Sequence, residues 1–304
     1  MRILVIGDLH GQEPRVHFPD ADVIVAPGDF CSDAVRQYAF QAMMENASRP
    51  DRSPDRTIAW YDLLDRAEAE LLVRRSLEAG RSVLEALDAT SLPVIVIPGN
   101  GDWASQPDSE WDLLRADHYG ELISGLRHVV DIDHRSLRMG EITFVGYGSS
   151  AGPEVPQDVE ERSRYSRETL CRLEARFAAI FEHLSSQFPN EGGCSVLLSH
   201  NMPFGVPLDL ITHPSSPRFG KHFGSVVTRK LVEVCRPSIC IGGHMHEHFG
   251  LCFLEGIPIV NGGYGNAVNV LIDIDEGAVR SIRFHGPDPI IHPIDTPCDG
   301  PSPL

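Results

Sequence analysis

Five short polar clusters carry residue types able to bind a metal or move a proton. They are Gly7-Asp8-Leu9-His10-Gly11, Pro27-Gly28-Asp29-Phe30, Pro98-Gly99-Asn100-Gly101-Asp102, Ser199-His200-Asn201 and Gly242-Gly243-His244-Met245-His246. Asp8 and His10 are separated by one residue, as are His244 and His246, so on extended backbone each pair projects to one side. Together the clusters supply carboxylates, imidazoles and one amide oxygen, a mixture suited to Mn, Fe or Zn better than to Mg or Ca alone. Glycine beside each of these residues permits a tight turn and leaves room for an ion and a substrate to approach. Taken singly, each cluster has an ordinary reading as a turn or a satisfied core histidine. All five in order, each behind a strand, point to one composite site.

The elements that must position them are legible as short β-branched runs at 3–6, 23–26, 94–97, 142–145, 196–198, 239–241 and 257–260. Continuous rather than alternating apolar runs predict strands buried on both faces, and open α/β sheets place their sites at strand ends. Helical periodicity runs over 57–87, with Gly80 as a break, over 159–188, and over 225–234 just before the 239 strand. Residues 32–91 read as a helical insertion between two strand ends, with a polar Pro-rich loop at 48–55 inside it. A β-ribbon follows at 267–274 and 278–284, joined by Asp275-Glu276-Gly277. The expected organisation is one layered α/β domain over 1–286 and a Pro-rich tail over 287–304.

The chain has 304 residues, 26 Lys+Arg and 43 Asp+Glu, a formal net charge of −17. So negative a surface disfavours long nucleic acid and anionic lipid, and small anions enter only where a local positive charge overrides it. No apolar run reaches the length of a membrane span. The segment from Met1 turns acidic at Asp8 before a leader core could form, and the seven scattered cysteines contain no CxxC pair. A cytoplasmic protein without structural disulfides or a Cys-type zinc site is expected.

The series Asp8-x-His10, Gly28-Asp29, Gly99-Asn100-x-Asp102, Ser199-His200 and Gly243-His244-x-His246 resembles the calcineurin-like metallophosphoesterase superfamily, over residues 1 to about 266. The resemblance implies an α/β fold of four layers, a β-sandwich of two mixed sheets flanked by helices, with two divalent metal ions at the strand ends. One ion would be held by Asp8, His10, Asp29 and His246, the other by Asp29, Asn100, His200 and His244, with Asp29 bridging. Manganese is the favoured ion. Such a pair lowers the pKa of a bridging water and clamps phosphoryl oxygens, so the implied reaction is attack of a metal-bridging hydroxide on phosphorus. The ions also supply the positive charge that the surface lacks.

One departure bears on the substrate. Many members of the superfamily carry a His after the Asn, thought to protonate the leaving group, and Gly101 stands there in this chain. Asp102 is retained as a catalytic candidate, without an adjacent His to orient. Some phosphodiesterase branches also lack that His. The run Ser199 to Gly205, with His222-Phe223-Gly224-Ser225 after it, is similar to one branch, Met202 replacing a Pro. His222 therefore reads either as a substrate contact or leaving-group acid, or as a loop residue before the helix near Ser225. Asn261-Gly262-Gly263-Tyr264 resembles the superfamily's loop behind the site, its glycines serving a tight turn. His248 takes the plainer reading of a structural histidine, and Trp103 and Tyr147 read as cleft-lining or packing. The insertion reads as a lid, an oligomer surface or an elaboration. The implied function is hydrolysis of a small phosphodiester. The alternatives are a phosphomonoesterase or protein phosphatase of the same fold, and a non-catalytic scaffold.

Overall fold

A computed structural model describes residues 1–49, 57–189 and 193–293. The apolar runs form strands whose alternate residues serve two different cores. β1 (Arg2–Val5), β2 (Val23–Ala26), β3 (Val94–Val96) and β4 (Val129–Asp131) lie parallel side by side, with Ile3 opposite Val23 and Ile24 opposite Val94. Ile3, Val5, Val23, Val25 and Ile95 face the second sheet. Leu4, Ile24, Val94 and Val96 point the other way, onto Val73, Leu84 and Leu87 of the long insertion helix. The period of two that sorts these residues is that of any pleated strand.

The second sheet is built from β5 (Ser136–Met139), β6 (Ile142–Tyr147), β7 (Cys194–Ser199), β8 (Ile239–Gly242), β9 (Gly250–Leu254) and β10 (Ile257–Asn261). Its inner face offers Phe144, Val196, Leu198, Ile239, Ile241 and Val260 to the first sheet. Its outer face, with Val145, Leu197, Cys240 and Ile259, is covered by Leu184 of one helix and Val227 and Leu231 of another. Helix, sheet, sheet, helix gives the expected four layers.

β11 (Asn269–Asp275) and β12 (Ala278–His285) form the terminal ribbon, turning through Glu276 and Gly277, both at positive φ as a tight hairpin requires. β13 (Ile290–Ile291), inside the expected tail, pairs with β9. β11 runs antiparallel to β1, Arg2 opposite Asp273, so the sheet orders are β12-β11-β1-β2-β3-β4 and β13-β9-β10-β8-β7-β6-β5. The rest of that tail, 294–304, and most of the Pro-rich loop lie outside the described residues.

The helices are α1 (Arg36–Ser48), α2 (Arg66–Asp88), α3 (Asp112–Arg115), α4 (His118–Ile123), α5 (Val159–Arg162), α6 (Arg167–Ser185) and α7 (Val226–Cys235). α1 and α2 fill the insertion after β2, as expected. Two boundaries differ from the sequence reading. The helix starts at Arg66 rather than near 57, because Asp65 caps it by accepting the Ala67 N–H, and Trp60–Leu63 forms a separate 3-10 turn. The 159–188 stretch is split where Ser166 caps α6 by accepting the Thr169 N–H.

Gly80 does not break α2. A Cβ there would lie 2.5 Å from Cys31 Sγ, so glycine is needed for the helix to press against the turn that follows β2. Gly80→Ala adds helix propensity of about 1 kcal/mol and overpacks a contact at a cost of about 1–3 kcal/mol. The expected net loss, read by urea unfolding, is up to about 2 kcal/mol; a variant stabilised by about 1 kcal/mol would show that this contact does not constrain the helix.

Candidate metal centre

The five polar clusters meet where the strands of both sheets end. Asp8 follows β1, Asp29 follows β2, Asn100 and Asp102 follow β3, His200 follows β7, and His244 and His246 follow β8. Asp8, His10, Asp29 and His246 each place a ligand atom within 4.8 Å of the others, and so do Asp29, His200 and His244. Asp29 belongs to both groups. Asn100, the amide of the set, brings Oδ1 to 2.9 Å from His200 Nε2.

The backbone is bent to achieve this. His10, Asp29 and His244 have φ of 46°, 57° and 62°, the left-handed region that side chains other than glycine seldom occupy. Such conformations persist only where surrounding bonds enforce them. His10 N–H and Leu9 N–H both donate to the Asp29 carbonyl, and His244 N–H donates to Asp8 Oδ2 at 2.6 Å. Close approach fixes glycine at two neighbours: a Cβ on Gly243 would lie 2.0 Å from Asp8 Oδ1, and one on Gly99 2.1 Å from Asp29 Oδ1.

The imidazoles are aimed by partners behind them. His200, fully buried, donates from Nδ1 to the Pro27 carbonyl at 2.8 Å, which turns the Nε2 lone pair toward Asn100 and Asp29. His10 Nδ1 lies 2.8 Å from Asp33 Oδ1, and Asp33 is in turn held by Arg36. His10 Nε2 then points at His246 Nε2, 2.8 Å away, and His246 Nε2 lies 2.8 Å from Asp8 Oδ2. Carboxylate or carbonyl partners of this kind fix the tautomer and orientation of metal-bound histidines.

The electrostatics favour a cation. Burial lowers the His10 imidazole, but the bond to Asp33 and the charges of Asp29 and Asp8 outweigh it and push the group up to about 9. Burial and the adjacent His200 hold His244 down to about 3, leaving a neutral ring suited to ligation. Asp8 Oδ1 is buried with no hydrogen-bond partner. An orphaned carboxylate oxygen and imidazole nitrogens converging on one another are the arrangement that a divalent ion satisfies, so these residues fit the two-ion set implied by the sequence.

Asp102 occupies a different place. It is fully buried and accepts the backbone N–H groups of Asp29, Cys31 and Gly99 at 2.7–2.8 Å. Burial and the nearby Asp29 charge push it up to about 6, against the pull of those bonds. The sequence reading grouped Asp102 with the catalytic candidates; with both oxygens committed to backbone, it positions the Asp29 and Asn100 loops instead. His222 lies outside both ligand groups, with Nδ1 2.6 Å from Asp209 Oδ1. Buried Asp209 also accepts the Gly205 and Gly224 N–H groups. Gly101 N–H donates to Asp29 Oδ1.

The remaining residues singled out in the sequence have structural places. His248 meets the Leu210 carbonyl, and Trp103 donates to Ser76 of α2. Tyr147 donates to Glu154, which also accepts the Val226 N–H at the start of α7. Asn261 carries its loop by bonding Met245 and Gly263, and the Tyr264 ring at the end of that loop packs 4.2 Å from His246. Sequence reasoning missed Asp33, Arg36 and Asp209. Asp33 is two residues past Cys31 on the path out of the Asp29 turn, the only hint the sequence carries.

Two substitutions separate aim from ligation. Asp33→Ala is expected to weaken Mn(II) binding by about 10–100-fold in calorimetry, with little change in unfolding; unchanged affinity would mean His10 is oriented without it. Asp102→Asn replaces an acceptor of three N–H groups with a side chain that also carries donors. It is expected to lose about 2–3 kcal/mol in thermal unfolding of chelator-treated protein, where metal binding does not contribute.

Calcineurin-like phosphoesterase is the family whose model matches, over residues 1–248. No curated protein sequence matches the chain. One solved structure aligns with TM-score 0.57 at 15% identity, covering 94% of this chain and 98% of its own, a likeness of fold alone. The protein TT1561 of Thermus thermophilus aligns at 14% identity and TM-score 0.44 over 94% and 98% of the two chains. A dimetal phosphatase from Danio rerio aligns at 12% identity and TM-score 0.40 over 95% and 97%. The family match, spanning the strands that carry every ligand candidate, places this chain in the calcineurin-like phosphoesterase family.

Proposed function

We propose that this chain is a metal-dependent phosphoesterase with a dinuclear centre, acting on a small phosphodiester. The observation that carries the reading is the pair of ligand groups sharing Asp29. Asp8, His10, Asp29 and His246 would hold one ion, and Asp29, Asn100, His200 and His244 the other, with manganese favoured over iron or zinc. When bound, the ions supply Lewis-acid stabilisation of the phosphoryl oxygens and a nucleophile from water at neutral pH.

The chain's own residues set the rest. Asn100, exposed at the mouth, orients the phosphate through its amide, and His200, fully buried and fixed through Nδ1 by the Pro27 carbonyl, keeps Nε2 for the metal. Gly101 offers no proton donor. His222, held through Nδ1 by Asp209, is the residue we assign to protonate the leaving group. Preference for a diester is supported by charge at the reacting group: a diester phosphoryl brings one negative charge beside the buried Asp8, Asp29 and Asp102, whereas a monoester dianion brings two to the same place. We also propose a single domain over 1–286, with the helical insertion at 32–91 as one wall of the cleft. The thiols of Cys31, Cys171, Cys194, Cys235 and Cys240 support a reducing, cytoplasmic setting. No helix of the described residues is long and apolar enough to cross a membrane.

The test is hydrolysis of bis(p-nitrophenyl) phosphate and p-nitrophenyl phosphate by chelator-stripped protein, before and after Mn(II) is added. Expected is cleavage restored by metal, favouring the diester, and a fall of about 100-fold or more in kcat for Asn100→Ala. Faster turnover of the monoester would reassign the enzyme to the phosphomonoesterases. Metal-loaded protein silent on both, with no binding of either ester, would overturn the enzymatic reading in favour of a scaffold.

A further inference from the structure

A large cleft lies outside the set of metal-ligand candidates. It has a volume of about 1240 Å³ and lies between the insertion and the segments at 153–165, which includes α5, and 217–223. Ala42, Met43 and Asn46 of α1 and Trp60 form one wall, and Phe204 and Phe223 the other. Both walls are tied to the loops of the metal centre. α1 begins three residues after Asp33, which aims His10, and the Trp60 ring packs 5.9 Å from Trp103, next to Asp102. On the opposite side, Asn201, adjacent to His200, donates from Nδ2 to the Phe223 carbonyl. His222 also lines the cleft.

Charge distinguishes one residue of the wall opposite α1. The Arg164 guanidinium is paired with Glu160, and Lys221 with Asp158. The Arg218 guanidinium instead lies 3.7 Å over the Phe223 ring, and no carboxylate of the described residues is within ion-pair distance of it. Glu161 and Tyr165 face it from farther away. Phe223 is itself wedged, since a Cβ on Gly152 would fall 2.5 Å from its ring. A half-buried guanidinium, stacked on a fixed ring and offered to a cavity, is a site for a planar or carboxylate-type anion. In a chain of net −17 it is a local exception of the kind that admits an anion.

We propose that this cleft binds one ester arm of the substrate, and that the arm carries its own negative charge, which Arg218 on Phe223 recognises. The substrate class is thereby narrowed to small phosphodiesters with a second anionic group, a carboxylate or a further phosphate, on an apolar or planar body. Identifying the ligand as a substrate arm rests on the phosphoesterase reading above; the anion site itself does not.

The probes are phenyl p-nitrophenyl phosphate and 4-carboxyphenyl p-nitrophenyl phosphate, which differ by one carboxylate. With the Mn(II)-loaded full-length protein, the carboxylated diester is expected to show a KM about tenfold below the other. Arg218→Gln, which keeps the packing on Phe223 without the charge, is expected to abolish that ratio, and Arg218→Lys to restore part of it. Calorimetric binding of both esters is read in parallel. Hydrolysis of both with no preference, or with a preference that persists in Arg218→Gln, would overturn the cleft assignment and leave the phosphoesterase intact. Arg218-dependent preference in binding without any hydrolysis would overturn the phosphoesterase reading and keep the anion site.

Discussion

Negative charge confined at the ends of two sheets is the constraint from which the rest follows. Asp8, Asp29 and Asp102 are buried within hydrogen-bonding reach of the same few loops. Buried carboxylates are tolerated only when paired, hydrogen-bonded or bound to cations. This fold uses each of these in turn. Asp102 is satisfied by three backbone N–H groups, and Asp29 takes the Gly101 N–H on one oxygen. Asp8 keeps Oδ1 without a protein partner among the described residues, while its Oδ2 meets His246 Nε2 and the His244 N–H. The unbalanced part of the charge is thus concentrated at one place.

The backbone shows what that concentration requires. Three ligand candidates sit in the left-handed region, which for residues with a side chain is sustained by bonds from neighbours. Those bonds run between loops from different strands, so the ligand loops order one another. Asp102 ties the turn after β2 to the turn after β3, and Asp8 ties the turn after β1 to that after β8. The site is a network of loops on a rigid double sheet, an arrangement that keeps several imidazoles aimed at one small volume.

Much of this was legible in the sequence, for identifiable reasons. Strands such as Val23–Ala26 and Ile239–Gly242 are continuous apolar runs because both faces are covered, and glycine and ligand residues mark their ends. β4 and β5 escaped notice because they are short and half-exposed, so Val129–Asp131 and Ser136–Met139 carry no such run. Gly80 reads as a helix break by propensity, and only its proximity to Cys31 explains its presence inside α2. The ligand candidates were found because each follows a strand in a compact motif. Asp33 and Asp209 were not, because their role lies in contacts with His10 and His222 that no local pattern encodes. Asp102 was found in the right cluster, but its role became clear only from the direction in which its oxygens point.

The pairing of β1 with β11 has a consequence for how the molecule comes into being. The strand that bears Asp8 is flanked on one side by a segment some 270 residues away, and the Met1 amine donates to the Ile274 carbonyl. Until that segment leaves the ribosome, β1 has one open edge, the kind that invites pairing with a neighbouring chain. The loops that carry Asp8 and His10 are therefore made long before they can be seated. A nascent chain of this topology has a long interval of exposure, and the loop that carries Asp8 and His10 is seated only once β11 has been made and has closed the edge.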